Sequence, residues 1–221
     1  LASRVPVEVM ARRELPIRLR WRRNTSWPGD AAVGASLGPM AVESHTDPRT
    51  AAAWANAFDA TQRVESDWRD WVAERPRDER LALLGAFAFA RGRHGGQRRR
   101  GSATPFWVHP VRVAIGLAGW GEEDPELLQA ALLHDVLEDT SRTTTDLQAA
   151  GFEADIIRTV TLLTKPASRI AYSERIAALI ASGDLAALLI KMSDTEDNLR
   201  PSRIPPDAAF LRERYADAFA R

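Results

Sequence analysis

Ala130-Ala131-Leu132-Leu133-His134-Asp135, followed by Glu138 and Asp139, is the stretch on which the reading of this chain turns. Just upstream, Asp124-Pro125 is a helix-start signal: an acceptor side chain that can cap free N–H groups, then a proline whose fixed φ suits the first turn. Leu127, Leu128, Ala131 and Leu132 recur at helical spacing and carry that helix to His134 and Asp135. A helix this apolar belongs in an interior, where an ionised aspartate beside a histidine is costly unless paired, hydrogen-bonded or metal-bound. A His–Asp hydrogen bond at a helix end and a metal site both meet that demand.

The flanking sequence is helical throughout. Trp54, Phe58, Val64, Trp68, Trp71 and Val72 fall at three- and four-residue steps until Pro76 stops the run, and a second helix is expected over 79–93. Trp68 and Trp71 suit either core packing or a stacking platform. Gly95 to Pro105 reads as a loop. His109 precedes Pro110 at the entrance of a helix with apolar Val111, Ala114, Ile115 and Ala118. Thr143 to Asp146 can cap a short helix closed by Gly151, and another carries Ile156, Ile157, Val160 and Leu163 up to Pro166. Helices over 170–181 and 184–200 flank Gly183, and a last one is expected near 207–220. No segment alternates with period two, so the predicted class is all-α with about eight helices.

Composition sets the outer limits. The 221 residues include no cysteine, which removes disulfides, thiolate metal sites and cysteine nucleophiles, so any bound metal must be held by His, Asp or Glu. Thirty Lys+Arg balance thirty Asp+Glu, which gives no general reason to expect a nucleic-acid partner. No apolar run is long enough to span a membrane and the arginine-rich start lacks a secretory centre, so no membrane partner and a cytoplasmic location are expected. Residues 1–48 read as a basic, disordered or loosely attached extension, 49–78 as an N-terminal helix packing on the core, and 79–221 as the main helical domain.

His109 at one helix entrance, His134 and Asp135 on a second helix and Asp194 on a third apolar helix could together offer two imidazoles and two carboxylates to a hard-to-borderline cation. A cation so held lowers the pKa of water and polarises a phosphoryl oxygen, which is what a hydrolase needs. Glu138 and Asp139 either position the attacking water and shuttle its proton or form a solvated helix terminus. The Arg98-Arg99-Arg100 run among glycines is either a phosphate-gripping loop or a solvated basic turn. Asn198, one helical turn after Asp194, suits orienting a ligand.

Five motifs in order carry a family resemblance: His94-Gly95-Gly96-Gln97-Arg98-Arg99, Thr104 to Pro110, Ala131 to Thr140, Val160 to Thr164, and Lys191-Met192-Ser193-Asp194 through Asn198-Leu199. Over about residues 80–220 the chain resembles the HD-domain metal-dependent phosphohydrolases, in the branch of the RelA/SpoT-type alarmone hydrolases and their small stand-alone relatives. The resemblance implies an HD-domain helical bundle, His109, His134, Asp135 and Asp194 as metal ligands, and manganese as the usual ion, other divalent metals being compatible. It also implies that Glu138 and Asp139 activate water, that Arg99 and Arg100 contact the nucleotide, and that Asn198 lies near its sugar and base. The implied reaction removes the 3′-pyrophosphate of guanosine tetra- or pentaphosphate to give GDP or GTP. Too little sequence follows Asn198 for the synthetase domain of the long enzymes, so a hydrolase alone is expected. Ser193 in place of the usual alanine departs from the family pattern, and so does the acidic step Thr195-Glu196-Asp197, which puts negative charge next to a phosphate site. That leaves two other readings, hydrolysis of another nucleotide or phosphate ester, and a noncatalytic alarmone-binding module.

Overall fold

Asp124 Oδ1 accepts the backbone N–H groups of Glu126 and Leu127 at 3.0 and 2.9 Å, and with Pro125 in the first turn this cap starts helix α4 (Pro125–Leu133). In the computed structural model, which describes residues 48–100, 102–166 and 170–199, α4 is the axis of an all-helical bundle. Around it run α1 (Pro48–Ala73), α2 (Arg77–Arg93), α3 (Val108–Gly119), α5 (Val136–Asp139), α6 (Thr144–Ala149), α7 (Ala154–Leu163), α8 (Tyr172–Ser182) and α9 (Leu185–Leu199). These nine helices, with a single antiparallel bridge from Arg98 to Pro105, are the regular structure among the described residues. The expected extension over 1–48 and the last helix near 207–220 lie outside them, apart from Pro48.

Leu128, Ala131, Leu132 and Leu133 of α4 are buried to 1% exposure or less and pack against α2, α3, α7 and α9. Burying one such leucine contributes about 1.5–3 kcal/mol, so this helix anchors its neighbours. A second layer is aromatic. Trp68 is fully buried and stacks 5.7 Å from Trp71, while Phe87 meets Trp107 edge-on at 5.6 Å, so Trp68 and Trp71 are packing residues. The helix ends follow local chemistry. Thr143 and Asp146 form a reciprocal capping box at the start of α6, and Gly183 closes α8 with φ of 69°, a left-handed conformation that glycine adopts without strain. No helix among the described residues is long and apolar enough to cross a membrane.

One departure matters for function. The sequence predicts a helix running unbroken through Asp135, but the α-helix stops at Leu133 and resumes as α5 at Val136. His134 Nδ1 donates to the Ala131 carbonyl at 2.7 Å, so a side chain takes up one of the acceptors at the end of α4. Asp135 then opens α5, its carbonyl accepting from Asp139 N–H at 2.8 Å. The break sets the histidine and the aspartate at a junction.

Candidate active site

Three elements meet at this junction. His109 enters from the first turn of α3, His134 and Asp135 from the α4–α5 break, and Asp194 from the middle of α9. His109 Nε2 lies 3.0 Å from Asp194 Oδ1 and 3.6 Å from Asp135 Oδ2, and His134 Nε2 lies 3.2 Å from Asp135 Oδ1 and 4.0 Å from Asp194 Oδ1. One ligand atom each from His109, His134 and Asp135 fall within 4.8 Å of one another. Both rings are buried, and they meet edge-to-face at 5.2 Å.

Two observations fit this cluster to a divalent metal. His134 Nε2 is buried with no well-aligned hydrogen bond, Asp135 Oδ1 standing 3.2 Å away, and a cation between the two would satisfy both. Its Nδ1 and that of His109 are both committed elsewhere, to the Ala131 carbonyl and to Asp197, which leaves the two Nε2 atoms facing the acids. Two imidazole nitrogens with two carboxylates are a borderline donor set that zinc, iron, cobalt or manganese can use.

The electrostatics reflect crowded charge. Burial disfavours the His134 imidazolium, but Asp135, Asp194 and the Ala131 carbonyl outweigh it and push the pKa up to about 9. Burial raises Asp135 and Asp194, yet their partners hold both below the usual carboxylate range: chiefly His134 for Asp135, and Lys191 with the neighbouring His109 for Asp194. Lys191 Nζ lies 2.7 Å from Asp194 Oδ2, and although burial opposes its charge, that carboxylate raises its pKa above the ordinary value. Asp139 behaves oppositely. Burial, Asp135 and Glu138 raise it to about 6.

A cavity of about 230 Å³ opens from the cluster, and Glu138, Asp139, Arg99, Arg175, Lys165 and Asn198 are among its walls. Glu138 is fixed: its Oε2 accepts the Lys165 backbone N–H at 2.8 Å and lies 3.5 Å from Arg175. Asp139 is held by its backbone, its carbonyl accepting from Gln97 Nε2 at 2.7 Å while buried His94 donates to Gln97 at 2.8 Å. Burial keeps the His94 imidazole below its usual pKa, consistent with a neutral donor.

The arginine run divides. Arg99 rests over Phe106, 4.9 Å from the ring centroid, and donates to Asn198 Oδ1 at 2.6 Å, while Asn198 Nδ2 donates to Asp194 Oδ1 at 2.6 Å. Arg98 is exposed and turns back to the Ala103 carbonyl, and Arg100 is exposed; neither lines the cavity.

Sequence reasoning missed Lys191, Arg175 and Lys165, and it misjudged Asp197. The acidic step was expected to place charge next to a phosphate site. Asp197 is instead 2% exposed and accepts from His109 Nδ1 at 2.8 Å, because three residues after Asp194 is the same face of α9; Glu196 alone points outward. Ser193 also has a packing role, donating to the Val113 carbonyl of α3 at 2.9 Å.

A helical bundle whose His-Asp pair sits at a helix break, completed by a histidine and an aspartate from two other helices, defines the class. The HD domain family profile matches residues 86–214, more than half the chain, and the chain belongs to that family. It is 36% identical over 119 residues to the guanosine-3′,5′-bis(diphosphate) 3′-pyrophosphohydrolase of Aquifex aeolicus, covering 52% of this chain and 17% of the relative. To the bifunctional (p)ppGpp synthase/hydrolase SpoT of Escherichia coli K12 it is 37% identical over 132 residues, covering 57% and 18%. The chain thus spans less than a fifth of the length of these curated relatives. Among solved structures, one described as a metazoan ortholog of SpoT that hydrolyses ppGpp aligns with a TM-score of 0.52 at 28% identity, covering 63% of this chain and 82% of that one.

Proposed function

We propose that this chain is a divalent-metal-dependent hydrolase of guanosine 3′,5′-bis(diphosphate)-type alarmones, releasing the 3′-pyrophosphate to leave GDP or GTP. The observation that carries the reading is the buried, unbonded Nε2 of His134 facing His109, Asp135 and Asp194, beside an acidic pair and an arginine that close one cavity. The relatives' names supply the substrate.

His109, His134, Asp135 and Asp194 would hold the metal, for which manganese is the choice the family resemblance implies. When bound, the ion supplies Lewis-acid charge that polarises a phosphoryl oxygen and acidifies water. The chain's own groups do the rest. Asp139, whose carboxylate makes no hydrogen bond among the described residues, takes the proton of the attacking water, and a pKa raised to about 6 leaves it ionised yet basic at neutral pH. Glu138, pinned by Lys165 N–H and Arg175, orients that water. Attack forms a new P–O bond and breaks the bond from phosphorus to the ribose 3′ oxygen, which leaves with a proton. Arg99, Arg175 and Lys165 face the phosphate charge, and Asn198 sets the angle of Arg99 against Asp194. Arg98 and Arg100, outside the cavity, act on the nucleotide only at longer range. Such a substrate places the reaction in the cytoplasm.

The test is pyrophosphate release from guanosine tetraphosphate by the manganese-loaded protein, with Asp135→Ala beside it. Release abolished by the substitution is expected. No release, or equal release by the variant, sinks the proposal; preference for a nucleotide lacking a 3′-pyrophosphate reassigns the substrate, and tight binding without turnover makes the chain a sensor.

A further inference from the structure

His109 and His134 present the same nitrogen, Nε2, to the acids of the site but differ in what holds the other. His134 Nδ1 donates to a neutral carbonyl, whereas His109 Nδ1 donates to the Asp197 carboxylate. Both members of the second pair are interior: the side chains of His109 and Asp197 are 1% and 2% exposed. A carboxylate withdrawn from water this far destabilises the fold unless a strong partner compensates, and an imidazole N–H donating at 2.8 Å is such a partner. Asp197 shares a face of α9 with Asp194, so one helix supplies an acid to each side of the same ring.

We propose that Asp197 is a positioning residue for the metal centre: it locks His109 as the Nδ1–H tautomer, leaves the Nε2 lone pair for the cation, and makes that nitrogen a stronger donor. Second partners of this kind fix ring orientation and raise ligand basicity. The inference rests on the reading of this cluster as a metal site.

Two readouts separate the inference from that reading. Imidazole ¹⁵N shifts of the metal-free protein report the His109 tautomer, and titration with Mn²⁺ reports affinity. In the wild type the neutral His109 ring is expected as Nδ1–H. Asp197→Ala should let it revert toward the Nε2–H form that free histidine prefers. Asp197→Asn, close to the native shape and still able to accept a hydrogen bond, should keep the tautomer and fold while losing the charge. Both variants should bind Mn²⁺ more weakly, by roughly 10–100-fold, the Ala variant at the larger end. Unchanged His109 shifts in Asp197→Ala, or Mn²⁺ affinity within twofold of wild type in Asp197→Asn, would overturn the proposal. A wild type that takes up no Mn²⁺ while its His109 tautomer still follows residue 197 would overturn the metal reading and, with it, the link of Asp197 to a metal, leaving only its hold on the His109 ring.

Discussion

Asp139 and His134 are both raised above their ordinary values, Asp139 because burial and acidic neighbours disfavour its charge and His134 because acidic neighbours favour its charge, and each shift yields a prediction. Asp139 must be ionised to take a proton, so activity should fall as pH drops through about 6 or lower, since a bound cation favours the carboxylate. Asp139→Asn should lose about 10²–10⁴ in kcat with little change in KM, and the acidic limb of its rate profile should vanish. A residual limb unchanged in the variant would assign the proton elsewhere. His134 controls the metal-free protein. Its folded pKa, about 9, stands above the unfolded 6.5, so the stability its imidazolium draws from Asp135 and Asp194 is fully present below pH 6.5 and is lost as pH rises to about 9. The loss is on the order of 3 kcal/mol. Metal requires the neutral ring, so uptake near pH 7 should release a proton and strengthen with pH. Melting scans across pH 6–9 should show the metal-free protein weakening and the metal-loaded one holding; parallel curves would refute the assignment.

Helix α9 reaches the site because α3 lets it come close. A Cβ added at Gly116 would lie 2.6 Å from Ser193 Oγ, the hydroxyl that donates to Val113 on the same helix. Rotating that hydroxyl away would strand a buried donor, so Gly116→Ala should cost about 1–3 kcal/mol despite its better helix propensity. In a Ser193→Ala background the same change should be near neutral, because the Ser193 Cβ is 3.9 Å from the added atom. Denaturant melts of the four proteins give the coupling, and additive effects would show that the contact does not hold the helices. At this scale much was legible: Asp124-Pro125, the Thr143–Asp146 box and Gly183 announce helix ends by chemistry local to a few residues. The break after Leu133 was not, because it depends on His134 competing for the Ala131 carbonyl, and a hydrophobic pattern carries no record of that competition.

Across the whole molecule, the four candidate ligands were legible as residue types, and their convergence was not. His109 and Asp194 are distant in sequence, and only the packing of α3, α4 and α9 brings them within 3.0 Å. Asp197 shows the limit: its spacing from Asp194 was readable, but its target, a ring on another helix, was not. The same geometry makes the centre a tie between three helices that otherwise meet through side-chain packing. A ligand that binds only the folded chain stabilises it by mass action, about 2.7 kcal/mol when its concentration is a hundred times Kd. For a domain of this size that corresponds to a rise in Tm of roughly 5–10 °C. Saturating Mn²⁺ should produce it and a chelator should reverse it. His134→Ala, which removes one ligand and the imidazolium discussed above, should show no response to either treatment. A rise of the same size in that variant would place the stabilising ion elsewhere on the molecule and detach these three helices from any shared metal.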